Sequence, residues 1–148
     1  MMSEANARIE LMEAILVRAA DALGDLGAPV MKQFYAKYPQ ARASFEAHGL
    51  GDPGRLEASM IDSTLYCIMY WLERPMEIRL ILADQVPHHC ETLHVELDWF
   101  RGLVHAMIEV LEATIPPEDE EARALCRFIR TGLDESTDQA AATIRRRN

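Results

Sequence analysis

The chain has 148 residues, enough for one well-buried domain, and with 49% apolar and 26% charged residues its composition is ordinary for a globular protein. Its formal net charge of −9 argues against a nucleic-acid partner, because phosphate binding needs clustered lysine and arginine. No apolar stretch is long enough to span a membrane, and the polar N-terminus lacks the pattern of a secretory signal. Three separated cysteines, Cys67, Cys90 and Cys126, make no disulfide framework, so we expect a cytoplasmic location.

The first half of the chain predicts four helices separated by glycine and proline. Apolar residues recur at three- and four-residue steps over residues 9–23, and Pro29 is placed to open a second helix. Pro39 is expected to start a short third helix that ends at Phe45. The glycine-rich segment 48–54 is the clearest loop, and a long helix is predicted after it, from about residue 55 to 72.

The second half continues the helical pattern, with predicted helices over residues 76–85 and 95–113. Pro116 and Pro117 then interrupt it, and a last helix begins around Glu118 with the acidic residues 118–121 in its first turn. We expect flexible termini, polar at residues 1–10 and basic at 145–147. No strand or repeat is apparent, so residues 1–148 predict one all-α domain of about six to eight helices with crossed packing.

Two segments resemble the globin superfamily, and the first is residues 34–45. Globins typically carry an aromatic residue late in the second helix, a proline that opens the third, and a phenylalanine six positions later that wedges against the haem. Tyr35, Pro39 and Phe45 match this pattern in type and spacing. The resemblance covers most of the chain and implies a globin-like fold, closest to the bacterial sensor and single-domain globins.

The second segment, residues 89–100, is similar to the iron-binding corner of a globin. His89 takes the place of the proximal histidine, Val95 that of the apolar residue under the ring, and Trp99 that of an aromatic four residues later. The resemblance implies b-type haem (haem b) held by His89. His88 is the alternative ligand, because a shift of one residue in the alignment would exchange the two.

A haem-ligating imidazole needs an acceptor on its second nitrogen, and globins often use a backbone carbonyl one turn earlier. Here that carbonyl would come from around Gln85 or Val86. Pro87 lies inside this turn and lacks a backbone donor, so an irregular helix is expected there.

The opposite side of the haem is predicted to be mostly apolar. The resemblance places Met60 near the iron and Thr64 one turn further along the same face. It also places Met31 where many bacterial globins have a ligand-stabilising tyrosine. Met60 is either a core residue or a sixth iron ligand. A pocket with a single hydroxyl favours nitric oxide or carbon monoxide over oxygen storage.

Other histidines have competing interpretations. Residues 88–90 with His94 could form a zinc site, but adjacent residues on one turn rarely close a tetrahedron and no second ligand pair has suitable spacing. His48 could meet a haem propionate or be solvated. His105 could reach a haem edge or simply be a satisfied helix residue.

The leading hypothesis is therefore a haem-binding globin that binds a diatomic gas (O2, NO or CO), with sensing favoured over transport. The alternative is a haem-less globin-fold regulatory or interaction module, and an unrelated helical regulator is a third reading. No catalytic residue set is apparent, so an enzyme such as a haem dioxygenase or peroxidase ranks last. The expected partners are haem and a gas, with no nucleic acid and no membrane. A homodimer and a separate signalling protein both stay open.

Overall fold

Seven α-helices and one π-helical turn make up the regular structure of residues 3–147, the part of the chain described by the computed structural model. In chain order these are α1 (Glu4–Leu23), α2 (Gly27–Lys37), α3 (Ala41–His48), α4 (Pro53–Tyr70), α5 (Pro75–Pro87), the π turn (His88–Thr92), α6 (Leu97–Ala113) and α7 (Glu120–Arg147). Helix accounts for 82% of the structure, with no strand in the described part. The all-α single domain predicted from the sequence is confirmed, and the arrangement is consistent with a globin-like fold.

Side-chain caps fix several of the helix starts. The Ser3 hydroxyl accepts a hydrogen bond from the Asn6 amide at 3.1 Å, and α1 therefore begins at Glu4, inside the segment that composition suggested was flexible. Asp52 caps α4 in the same way, by accepting from the Arg55 amide at 3.1 Å. Residues 1, 2 and 148 lie outside the described part, as do the side chains of 145–147, on which the predicted basic tail rests.

Two predicted helix starts are displaced by two residues. Pro39 does not open α3, which begins at Ala41 and continues past Phe45 to His48. Glu118 and Asp119 precede α7 instead of lying in its first turn, and the Asp119 carboxylate accepts from the Ala122 amide at 3.1 Å. In both cases a turn separates the proline from the helix that the periodicity predicts.

Close helix crossings hold the core together. α5 packs along α7, and α2 packs along α6, which buries eight of its own residues. At one crossing Gly132 of α7 meets the indole of Trp71, so that a Cβ added there would lie within 2.7 Å of three ring atoms. Trp71 is only 5% exposed, and glycine is the residue that permits this approach. None of the helices in residues 3–147 is long and apolar enough to cross a membrane.

Candidate functional site

A cavity of about 480 Å³ is enclosed by residues from six helices, the π turn and the segment after it. This volume falls within the range of roughly 300–1,000 Å³ that is usual for small-molecule sites. Its lining is predominantly apolar and includes three of the residues that the sequence assigned to a haem pocket: Phe45, Val95 and Trp99. The cavity can therefore hold a sizeable apolar ligand.

Packed aromatic rings form the part of the wall contributed by α2 and α3. Phe45 meets Phe34 edge-on at 6.2 Å between ring centroids, and both rings line the cavity. Tyr35 contacts the edge of Phe45 from behind at 5.9 Å, and its hydroxyl donates to the Glu57 carboxylate of α4 at 2.7 Å. These contacts fix the position of Phe45, because its ring cannot rotate without displacing its neighbours.

His89, in the π turn, presents a half-buried imidazole to the cavity. Its Nδ1 lies 2.8 Å from the backbone carbonyl of Gln85, the partner that the sequence predicted. A carbonyl only accepts hydrogen bonds, so Nδ1 carries the proton and Nε2 keeps its lone pair. The ring of Phe100 packs edge-on against His89 at 5.2 Å. The side chain is therefore held in one tautomer and one orientation.

Burial lowers the pKa of His89 below that of an exposed histidine, and this effect outweighs the Gln85 hydrogen bond, which raises the pKa. The neighbouring charges of His88 and His48 lower the pKa further. The imidazole is therefore neutral at pH 7, as a metal ligand must be.

The π turn separates His89 from its neighbour His88. Pro87 ends α5, after which the amide of Leu93 bonds to the His88 carbonyl and that of Val95 to the His89 carbonyl, at 3.2 and 2.9 Å. These hydrogen bonds span five and six residues and widen the helix, which confirms the irregularity expected at Pro87. Both rings border the cavity, but His88 is exposed and has no hydrogen-bond partner among the described residues. The geometry thus favours His89 as the donor.

The α4 wall brings Met60 and Thr64 to this cavity, as their spacing predicted. Thr64 is only 9% exposed, and its hydroxyl makes no hydrogen bond within the described part of the chain. Cys67 lies on the same helix face, and burial raises the pKa of its thiol to about 11, so the thiol stays protonated. The Thr64 hydroxyl is therefore available to a ligand.

Met31 is not brought to this cavity. It is buried in α2 and borders a separate shallow depression, together with Tyr35, Arg42 and Glu57. The inward-facing position on α2 belongs to Phe34 instead, three residues further on. The sequence-based assignment of Met31 to the haem pocket is thus not supported by the geometry.

The remaining histidines divide between the cavity and the surface. His48, at the end of α3, borders the cavity, and its Nδ1 lies 2.9 Å from the Ser44 carbonyl. His105 is outside the lining and is satisfied by the Asp134 carboxylate of α7 at 2.7 Å. No group of three side chains within the described residues is arranged to hold a metal ion, so the zinc alternative has no support.

Sequence reasoning missed the contribution of α7. Leu133 and Thr137 line the cavity one turn apart, and the Thr137 hydroxyl donates to the Leu133 carbonyl at 2.8 Å. The four-residue spacing was visible in the sequence, but nothing in it showed that α7 returns to this cavity. Ser63 of α4 and Gln85 of α5 complete the polar part of the lining.

Comparisons with known proteins found no matching family description, no matching curated sequence and no matching solved structure. The resemblance to globins therefore rests on the two sequence segments and on the arrangement of side chains around this cavity.

Proposed function

We propose that this protein binds haem b in the cavity and, through the haem iron, a diatomic gas. The observation that carries the proposal is the state of His89, a neutral imidazole whose Nδ1 is committed to the Gln85 carbonyl at 2.8 Å. Its Nε2 keeps a free lone pair beside an apolar cavity of about 480 Å³. A fixed and neutral nitrogen donor of this kind is what haem iron requires from a protein.

The other residues around the cavity suit a flat apolar cofactor. Phe45, Val95 and Trp99 offer apolar surface to a porphyrin, and Phe45 is fixed by its ring neighbours. The donor set matches as well, because it combines one imidazole with apolar walls and lacks a cluster of carboxylates or thiolates that would favour another metal. These features of the described residues support haem in preference to a bare ion.

The gas preference follows from the α4 wall. Haem would supply an iron atom able to bind oxygen, nitric oxide or carbon monoxide. The Met60 thioether has no proton to donate, whereas the Thr64 hydroxyl can donate one hydrogen bond to a ligand in the cavity. Because oxygen depends most on such hydrogen bonds, this wall favours nitric oxide or carbon monoxide. We therefore propose a role in gas binding or sensing, read out by a partner protein, in preference to oxygen storage.

The test is a haem titration of the purified protein followed by absorbance. One haem per chain with a sharp Soret band is expected, and His89→Ala should abolish or strongly weaken that band. His88→Ala is the matched control, because it removes the neighbouring imidazole, which is exposed, and should leave the band nearly intact. A reversed pattern would reassign the ligand to His88. A wild-type protein without a Soret band would refute haem binding and favour the haem-less interaction module.

A further inference from the structure

The ionisable groups around the cavity are of a restricted kind. Among the described residues, those that line it include three histidines, His48, His88 and His89, and the thiol of Cys67, but no aspartate, glutamate, lysine or arginine. Burial keeps the thiol protonated by raising its pKa to about 11. A net charge on the lining can therefore only be positive, and it can come only from an imidazole.

His48 is the histidine best placed to use that charge. It is an exposed residue at the C-terminal end of α3, and its Nδ1 lies 2.9 Å from the Ser44 carbonyl and 3.4 Å from the Ser44 hydroxyl. Because the carbonyl accepts from Nδ1, the Nε2 atom is left for a ligand. Neutral His48 has no proton on Nε2, but protonated His48 has one there and can donate a charge-assisted hydrogen bond.

No acidic side chain of the cavity lining competes for that proton. The lining contributed by α4 is apolar except for Ser63, Thr64 and Cys67, none of which is negatively charged. The lining of the π turn consists of His88 and His89, which repel a protonated His48. A ligand anion would thus be the only negative charge among the groups that border the cavity beside His48.

We propose that His48 binds a carboxylate carried by a largely apolar ligand whose body fills the cavity. Two ligand classes share this chemistry. One is haem, through its propionates, and this source rests on the proposed function. The other is a free acyl-chain carboxylate, which needs no iron. In both cases binding should tighten as the pH falls from 8 to 6, the interval in which histidine gains its charge.

The first arm of the test compares haem with its dimethyl ester, which keeps the iron but has no carboxylate. Both porphyrins use the same iron ligand, so the ratio of their affinities isolates the carboxylate contribution from any titration of His89. We expect haem to bind about tenfold more tightly than the ester at pH 6, with a smaller ratio at pH 8. His48→Gln should bring the ratio close to one at both pH values.

His94→Asn is the matched control for the loss of a histidine. His94 lies outside the cavity lining and has a φ of 55°, a left-handed conformation that asparagine tolerates well. This variant should keep the wild-type ratio. A ratio of one in the wild type, or a ratio that survives His48→Gln, would overturn the assignment to His48 in the haem arm.

The second arm uses haem-free protein and dodecanoate, with methyl dodecanoate as the uncharged control, and follows binding by calorimetry. If the cavity takes acyl carboxylates, dodecanoate should bind more tightly at pH 6 than at pH 8, and only while His48 is present. A failure to bind haem would sink the proposed function but leave this arm decisive. If neither haem nor dodecanoate shows a preference that depends on His48, the inference is wrong.

Discussion

Replacing Gly132 with alanine should destabilise the protein, because the new methyl group would enter the ring of Trp71. The Cβ would lie within 2.7 Å of three indole atoms, where ordinary contacts are about 1 Å longer. The ring cannot move aside easily, since it is 5% exposed and the Arg79 guanidinium lies 5.2 Å from its centre. α7 must therefore shift away from α4.

The size of the effect follows from two opposing contributions. Overpacking a buried contact costs about 1–3 kcal/mol, and the rigid indole places this site near the upper end. Alanine in place of glycine inside a helix returns about 1 kcal/mol. The net loss is about 2 kcal/mol of unfolding free energy, which for a domain of this size lowers the Tm by about 4–8 °C.

Thermal and urea unfolding, followed by circular dichroism, would measure this loss. Gly54→Ala is the matched control, because Gly54 also lies in a helix but its Cβ would meet only the Asp52 carboxylate, at 3.8 Å. That variant should be as stable as the wild type or slightly more stable. Trp71→Phe shortens the opposing ring, so the loss from Gly132→Ala should be smaller in that background. A Gly132→Ala protein with wild-type stability would refute the close crossing of α4 and α7.

Three further predictions concern the haem-loaded protein. Thr64→Val should lower oxygen affinity about fivefold, the equivalent of one hydrogen bond of about 1 kcal/mol, and leave carbon monoxide affinity nearly unchanged; equal effects on both gases would exclude a donor role. Met60→Leu should leave a five-coordinate ferrous spectrum unaltered, and a six-coordinate spectrum that this variant converts to five-coordinate would instead identify Met60 as an iron ligand. Because burial lowers the pKa of His89 below 6.5, haem affinity measured across a pH series should be constant above pH 6.5 and fall only as His89 gains a proton below it. A loss that begins above pH 6.5 would contradict this origin.

The sequence predicted local relationships well, because they depend on helix geometry alone. The bond from His89 to the Gln85 carbonyl spans four residues, and Met60 and Thr64 share a helix face at the same spacing. Pro87 announced the irregular turn through its missing donor. Each of these follows from a short stretch of chain and needs no knowledge of the rest of the fold.

Relationships between distant segments could not be predicted in the same way. Whether Met31 or Phe34 faces the cavity depends on how α2 is rotated against α6, and this rotation is set by side chains far away in the sequence. The position of Leu133 in the lining likewise depends on the crossing of α7 with Trp71, which only a glycine permits. Apolar periodicity shows which face of a helix is buried, but not which partner covers it.

The π turn also restricts how the length of this segment can vary. A π-helical turn corresponds to an α-helix with one residue inserted, and each residue of an α-helix turns the chain by about 100°. Deleting one residue from His88–Thr92 would restore α geometry and rotate everything on one side of the cut relative to the other. His89 could then no longer keep both its bond to Gln85 and its place beside Phe100. Substitutions in this turn are therefore easier to accommodate than a change in its length.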